Sequence, residues 1–345
     1  VAPDFTWETV TQMDFGFDAS FLNNRLTGTF DWYRRNTKDM LVAGATLPAT
    51  LGASVPKSNS ADMKTIGWEL SLGWNDRLEN GFSYWVKGVL SDYQATITKY
   101  AGNDAGFYSQ SDGDGKYYVG QKIGEIWGYH SNGLFQSDDE AATIDQSELY
   151  AGKWGAGDVK YEDLDNDGKI TKGEETIYNP GDKSIIGNKT PRYQFGITVG
   201  FDYKNFDFEM FWQGTGKRDY MLSGAQFWGF TSQWDVPYTP ALDYWTETNT
   251  DAYFPRPGWQ NGGNRVTSDR YLQSAAYGRL KNLTVGYTIP KNLTTKWGIS
   301  RLRLYVTGEN LLTITPLNDA FDPETLGGMT YPINRKVAIG LNLTL

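Results

Sequence analysis

Apolar and polar residues alternate along much of this chain with a period of two, and the C-terminal segment shows it without a break. Val337, Ile339, Leu341, Leu343 and Leu345 are apolar, while Lys336, Ala338, Gly340, Asn342 and Thr344 between them are small or polar. A strand points successive side chains to opposite faces, so the apolar set shares one face. Eight earlier segments repeat the pattern: Val10–Leu22, Leu26 to about Met40, Thr65–Asn75, Phe82 to about Ile97, Tyr193–Lys204, Phe206–Gly214, Arg279–Ile289 and Arg301–Asn310. In Thr65–Asn75, Ile66, Trp68, Leu70, Leu72 and Trp74 fall on one face.

The connections between these segments alternate between short and long. Asn23–Arg25, Asp76–Gly81, Lys204–Asn205 and Pro290–Ser300 are short, whereas 41–64, 98–192, 215–278 and 311–335 are long. All the short turns therefore lie at one end of the sheet and all the long loops at the other, as in outer-membrane barrels with short periplasmic turns and long extracellular loops. The segments also run to about ten residues, the length a tilted strand needs to cross a bilayer, against about five or six in soluble sandwiches. The pattern predicts an all-β fold, an antiparallel transmembrane β-barrel. Nine strands is an odd count and single-chain bacterial barrels have even ones. The chain also starts at Val1 without an initiator Met or a signal peptide, so residues 1–345 read as the C-terminal portion of a longer barrel.

Composition narrows the function. No run approaches 18 apolar residues, which excludes a transmembrane helix. The net charge of -9 leaves no basic footprint for nucleic acid. Cysteine is absent, so there is no disulfide framework, thiolate metal site or thiol nucleophile. The single histidine, His130, stands next to Ser131, but adjacent side chains seldom face each other productively, and it reads as a turn residue. No phosphate-binding P-loop is present. The chain is read as a binding protein and not an enzyme.

One motif carries specific chemistry. Asp163, Asp165 and Asp167 occupy positions 1, 3 and 5 of a calcium-type loop, with Gly168 at the sharp bend, the Lys169 carbonyl next, then Thr171, and Glu174 as the closing bidentate carboxylate. A hard cation needs several oxygens converging from one tight turn, and this spacing supplies them. The flanks are rich in glycine and end in Pro180-Gly181, so calcium is expected as a staple of the long loop 98–192 and not as a helix-moving switch. An affinity of about 10⁻⁴ to 10⁻³ M would suit an extracellular site.

The loop 215–278 is dense in aromatic rings, in a chain that is 15% aromatic. Trp228, Trp234, Tyr238, Tyr244, Trp245 and Trp259 are the candidates for meeting substrate or a partner, since exposed Trp and Tyr stack on sugars and anchor interfaces. The alternative for any single ring is that it packs the loop against itself, because a long loop without helices needs an internal core.

Taken together, the chain resembles the C-terminal third of a SusC/RagA-type TonB-dependent outer-membrane transporter. The resemblance runs from Trp7-Glu8-Thr9, Asn24-Arg25-Leu26, Asp31-Trp32-Tyr33 and Asp39-Met40-Leu41 through Gly67-Trp68-Glu69-Leu70 and Gly120–Phe135. It continues through Asp158-Val159-Lys160-Tyr161 to Gly168, Ile186-Gly187-Asn188, Asn205-Phe206-Asp207 and Tyr277–Pro290, then Gly308–Leu312, Phe321–Glu324 and the final strand. Leu345 departs from the terminal Phe usual in the family. The resemblance implies a barrel of about 22 strands, with a plug domain and a TonB-contacting segment upstream of Val1. It also implies a SusD-like lipoprotein as partner, TonB-dependent import of oligosaccharides or peptides, and an outer-membrane location in a Gram-negative bacterium. The rival expectation is a secreted, calcium-dependent carbohydrate-binding β protein, soluble without detergent.

Overall fold

The computed structural model describes residues 5–43, 50, 52, 57–101, 103, 106, 117–326, 331 and 333–345. Parts of the loops expected at 41–64, 98–192 and 311–335 lie outside the described residues. Four long strands come first: β1 (Thr9–Phe21), β2 (Leu26–Ala43), β3 (Lys57–Arg77) and β4 (Ser83–Tyr100). The next loop carries four short ones, β5 (Glu125–Tyr129), β6 (Ser131–Leu134), β7 (Val159–Tyr161) and β8 (Lys183–Asn188). After β9 (Arg192–Tyr203) and β10 (Phe206–Lys217) a second loop carries β11 (Asp219–Met221) and β12 (Leu272–Ser274). The chain ends with β13 (Tyr277–Thr288), β14 (Arg301–Ile314) and β15 (Lys336–Thr344).

The long strands form one nine-stranded sheet in the order β1-β2-β3-β4-β9-β10-β13-β14-β15. Every pair in it is antiparallel and joins neighbours in the chain once the short loop strands are set aside. Among the described residues β1 and β15 are not paired with each other, so the sheet is an open wall. No helix among them is long and apolar enough to cross a membrane.

Register explains the alternation. Because cross-strand partners share a face, the apolar positions line up across the whole wall: Phe30 faces Leu70, Leu70 faces Leu90, and Leu90 faces Phe195. Further along, Phe208 pairs with Val285, Val285 with Val306, and Val306 with Ile339. This face is not covered by protein: Ile339 is 83% exposed and Phe15 67%. A contiguous uncovered apolar wall is far beyond the scattered apolar residues of a soluble monomer, and it matches the outward band of a membrane barrel. Near the short-turn end it carries an aromatic band in which Tyr203, Phe206 and Tyr287 are cross-strand partners. Rings of this kind mark the membrane–water interface.

The opposite face is polar. Arg303 on β14 reaches across β13 to Asp207 on β10, with Nε 2.9 Å from Oδ1. The strands also run further than the alternation predicts at the long-loop end, most of all β3, which has 21 residues and a bulge between Asp62 and Met63. There the hydrophobic period lapses while backbone pairing continues.

The dry core lies outside the sheet. Tyr129, Tyr161 and Ile170 from the first large loop, Phe227 and Tyr271 from the second, and Leu317 and Phe321 from the loop after β14 form one buried cluster. Each such side chain contributes about 1.5–3 kcal/mol on burial. Polar ties reinforce it. Asp158, fully buried, accepts hydrogen bonds from Arg256 Nε at 2.9 Å and Asn264 Nδ2 at 2.8 Å, joining the two large loops. Arg279 on β13, 3% exposed, pairs with Asp322 at 2.6 Å and Glu324 at 3.2 Å and so fixes the third loop to the wall.

Candidate functional site

The acidic loop begins directly after β7, whose Val159 and Tyr161 are anchored in the loop core. Asn166 and Gly168 adopt positive φ (63° and 83°), which turns the backbone back on Asp163. Glycine takes that conformation without the steric cost a side chain meets, which is why it stands at the bend. Asp163 then accepts from the Asn166 amide at 2.7 Å and the Gly168 amide at 2.8 Å. Ile170, fully buried, pins the end of the turn.

Carboxylate oxygens of Asp163, Asp165 and Asp182 lie within 4.8 Å of one another. The structure thus brings two of the sequence-predicted residues together and adds a third that the motif does not contain. Asp167 turns its Oδ1 to the Lys169 amide at 2.8 Å. Glu174 is exposed and lies outside the cluster, its backbone amide donating to the Asn179 carbonyl. No regular helix follows the loop. The chain turns through Thr176–Asn179 and Gly181, and this return delivers Asp182 instead. Asp182 is fully buried and accepts from the Leu164 and Thr171 amides, both at 2.7 Å, tying the start of the loop to its end. Thr171 therefore contributes its amide to Asp182, and Lys169 lies at a β-bridge with Asp145.

The electrostatics suit a hard cation. Burial and then the charges of Asp167, Asp182 and Asp163 raise the Asp165 carboxyl above its ordinary range. Desolvation acts the same way on Asp163, but the amides of Gly168, Asn166 and Asp167 outweigh it and hold that carboxyl low. An oxygen-only donor set with mutual repulsion is the chemistry that calcium relieves. Asp182 was outside the reach of motif reasoning because its spacing from Asp163 depends on the return turn.

The candidate aromatics divide into two groups. Trp228 is buried in the loop core, edge-on to Tyr271 with ring centroids 4.6 Å apart, and Tyr244 and Trp245 pack against the same core. These three have the packing role. Trp234, Tyr238 and Trp259 are exposed, Trp234 at 83%. Their loop is held from within: Arg265 donates to the carbonyls of Phe230, Gly258 and Trp259. His130 is a tie between loops, its Nδ1 2.8 Å from Asp269 Oδ2 and its Nε2 2.7 Å from Ser184 Oγ. Between the two large loops lies a cleft of about 510 Å³, lined by Trp127, Tyr220, Lys172 and Lys189 among others.

Comparison with known proteins agrees with this architecture. Residues 1–311 match the family model described as TonB dependent receptor-like, beta-barrel. TonB-dependent receptor P3 of Formosa agariphila is 30% identical over 367 residues, covering 98% of this chain and 34% of that protein. TonB-dependent receptor SusC of Bacteroides thetaiotaomicron is 26% identical, covering 98% of this chain and 32% of its own length. The chain therefore spans about a third of the relatives it matches. Among solved structures, the RagAB peptide transporter superposes with a TM-score of 0.74 at 22% identity, over 99% of this chain and 36% of that one. At that identity the likeness concerns the fold.

Proposed function

The chain belongs to the TonB-dependent receptor-like β-barrel family, as an outer-membrane protein of a Gram-negative bacterium, and from that premise we propose that it is the C-terminal barrel portion of a nutrient importer for oligosaccharides. The observation that carries this reading is the uncovered apolar wall joined to large, internally packed loops at one end only. The wall suits lipid and the loops suit capture of cargo from outside. A secreted carbohydrate-binding protein, the rival expectation, would have to keep that wall dry by some other means. Peptide cargo is the second reading, favoured by the similarity in fold to a peptide transporter.

Three further parts belong to the proposal. Energy comes from the TonB complex through a plug and contact segment, as the family resemblance implies. A SusD-like lipoprotein closes over the loops, with the exposed Trp234, Tyr238 and Trp259 as its most accessible anchors or those of the cargo. Calcium is held by Asp163, Asp165 and Asp182 and stiffens the loop that builds one side of the cleft. None of these roles requires a catalytic group.

The test is uptake. Deleting the gene should abolish import of a labelled oligosaccharide mixture by whole cells, and restoring it should rescue import only while TonB and the proton gradient are intact. Unchanged uptake in the deletion strain, with peptide import lost, would transfer the function to the second reading. Unchanged uptake of both would sink the importer proposal.

A further inference from the structure

At the rim of the sheet β4 outruns its neighbour: its pairing with β9 ends at Ser91 and Gln194, and beyond that point the Ile123 amide bonds to Ala95 instead. The gap between β4, residues 123–124 and residues 188–192 encloses a cavity of about 290 Å³. Tyr93, Gln94, Lys189 and Arg218 are among its lining residues. Lys189 also lines the larger cleft between the loops, so it stands where the two spaces meet.

The cations here differ from their neighbours. Lys183 pairs with Glu175 at 2.7 Å, and Arg192 is matched by Asp92. Among the described residues no carboxylate pairs with Lys189 or Arg218, in a chain whose net charge is -9. Arg218 is held in place by donating Nε to the Lys189 carbonyl at 3.1 Å. Burial lowers its pKa. A partly buried guanidinium kept without a counter-charge is costly, and an oxyanion arriving from outside offsets that cost through charge-assisted hydrogen bonds. The planar fork of Arg and the point charge of Lys together suit a carboxylate or a sulfate. Tyr93, whose partner on β3 is Gly67 of the polar face, adds a hydroxyl that can meet those of a sugar.

We propose that Lys189 and Arg218 form a subsite for the carboxylate or sulfate group of an acidic oligosaccharide, with Tyr93 meeting its hydroxyls. The proposal rests on the reading of the protein as an oligosaccharide importer and narrows its cargo.

The experiment uses the full-length protein purified in detergent, titrated with uronate and sulfated tetrasaccharides, their neutral counterparts and tetra-aspartate. Acidic saccharides should bind about tenfold or more tightly than neutral ones. Uronates and sulfated sugars, titrated separately, identify which oxyanion is read. The Lys189→Ala, Arg218→Ala double variant should erase that preference, bringing acidic and neutral saccharides to the same affinity, while Arg218→Lys retains part of it. Equal binding of acidic and neutral sugars, or a preference that survives the double variant, overturns the subsite and leaves saccharide import standing. Binding of tetra-aspartate with no saccharide binding overturns both.

Discussion

The ring of Tyr305 on β14 occupies the space where a side chain at its cross-strand partner Gly340 on β15 would begin. Tyr33 covers Gly67 in the same way, and Trp85 covers Gly200, each pair directly opposed across two strands. All three pairs lie on the polar face. The glycines let large rings lie flat along the sheet and protect backbone that would otherwise be bare.

Gly340→Val is therefore expected to displace Tyr305 and to destabilise the wall by about 1–3 kcal/mol, the usual cost of overpacking. The denaturant midpoint of the full-length protein in detergent measures it. A Gly340→Val, Tyr305→Ala double variant should recover part of the loss, and no recovery would mean that the ring is not the obstacle.

The two faces of β15 should respond oppositely to charge. Ile339 pairs with Val306 on the apolar face, while Ala338 pairs with Thr307 on the polar one. Ile339→Arg should impair membrane assembly by about 2–4 kcal/mol if it lies near mid-bilayer, and Ala338→Arg far less. Heat-modifiable mobility of the barrel on gels reads the difference, and equal tolerance would contradict a lipid-facing wall.

Calcium should depend on Asp182 and not on Glu174. Calorimetric titration with calcium is expected to give heat in the wild type and in Glu174→Gln, and none in Asp163→Asn or Asp182→Asn. Loss of heat in Glu174→Gln, with Asp182→Asn unaffected, would restore the ligand set that the motif alone implies.

Acid should loosen the short helix α1 (Asp138–Ala141). Its cap residue Ser137 accepts from the Glu140 amide at 3.1 Å, and the Glu140 carboxylate accepts in return from the Gln136 amide at 2.7 Å. That amide bond, followed by Lys160, holds the Glu140 carboxyl below its ordinary value. A depressed folded pKa means stability that is present above the unfolded value, about 4.3, and is lost as the pH falls through the folded one. Proteolysis of the 136–142 segment should rise in that window for the wild type, and Glu140→Gln should flatten the profile. An unchanged profile would remove Glu140 as the cause.

Much of the wall was legible because a half-solvated strand leaves a period of two in the sequence. The turn at Lys204-Asn205 falls where the alternation breaks, and Tyr203 pairs with Phe206 across it. Strand ends were less legible: β14 runs on to Ile314 past Asn310, because pairing above the bilayer continues after the need for an apolar face has ended. The loop core left no period at all. Phe227, Tyr161 and Phe321 come from three separate loops, and only the fold shows that they meet. For the same reason Trp228 could not be told from Trp234 by composition, although one is buried and the other bare. Asp182 was hidden by the return turn before it, while Asp163 and Asp165 were marked by local spacing.

The cluster around Phe227 and Tyr271 has its apolar neighbours within the loops, whereas Ile339 and Phe15 depend on whatever surrounds the wall. The molecule therefore has two solvents and two separate routes to failure. A detergent that loosens the wall is expected to leave the core shared by the two larger loops packed, and an antibody against those loops to go on binding. Recognition by such a probe certifies the loops and says nothing of the barrel beneath them.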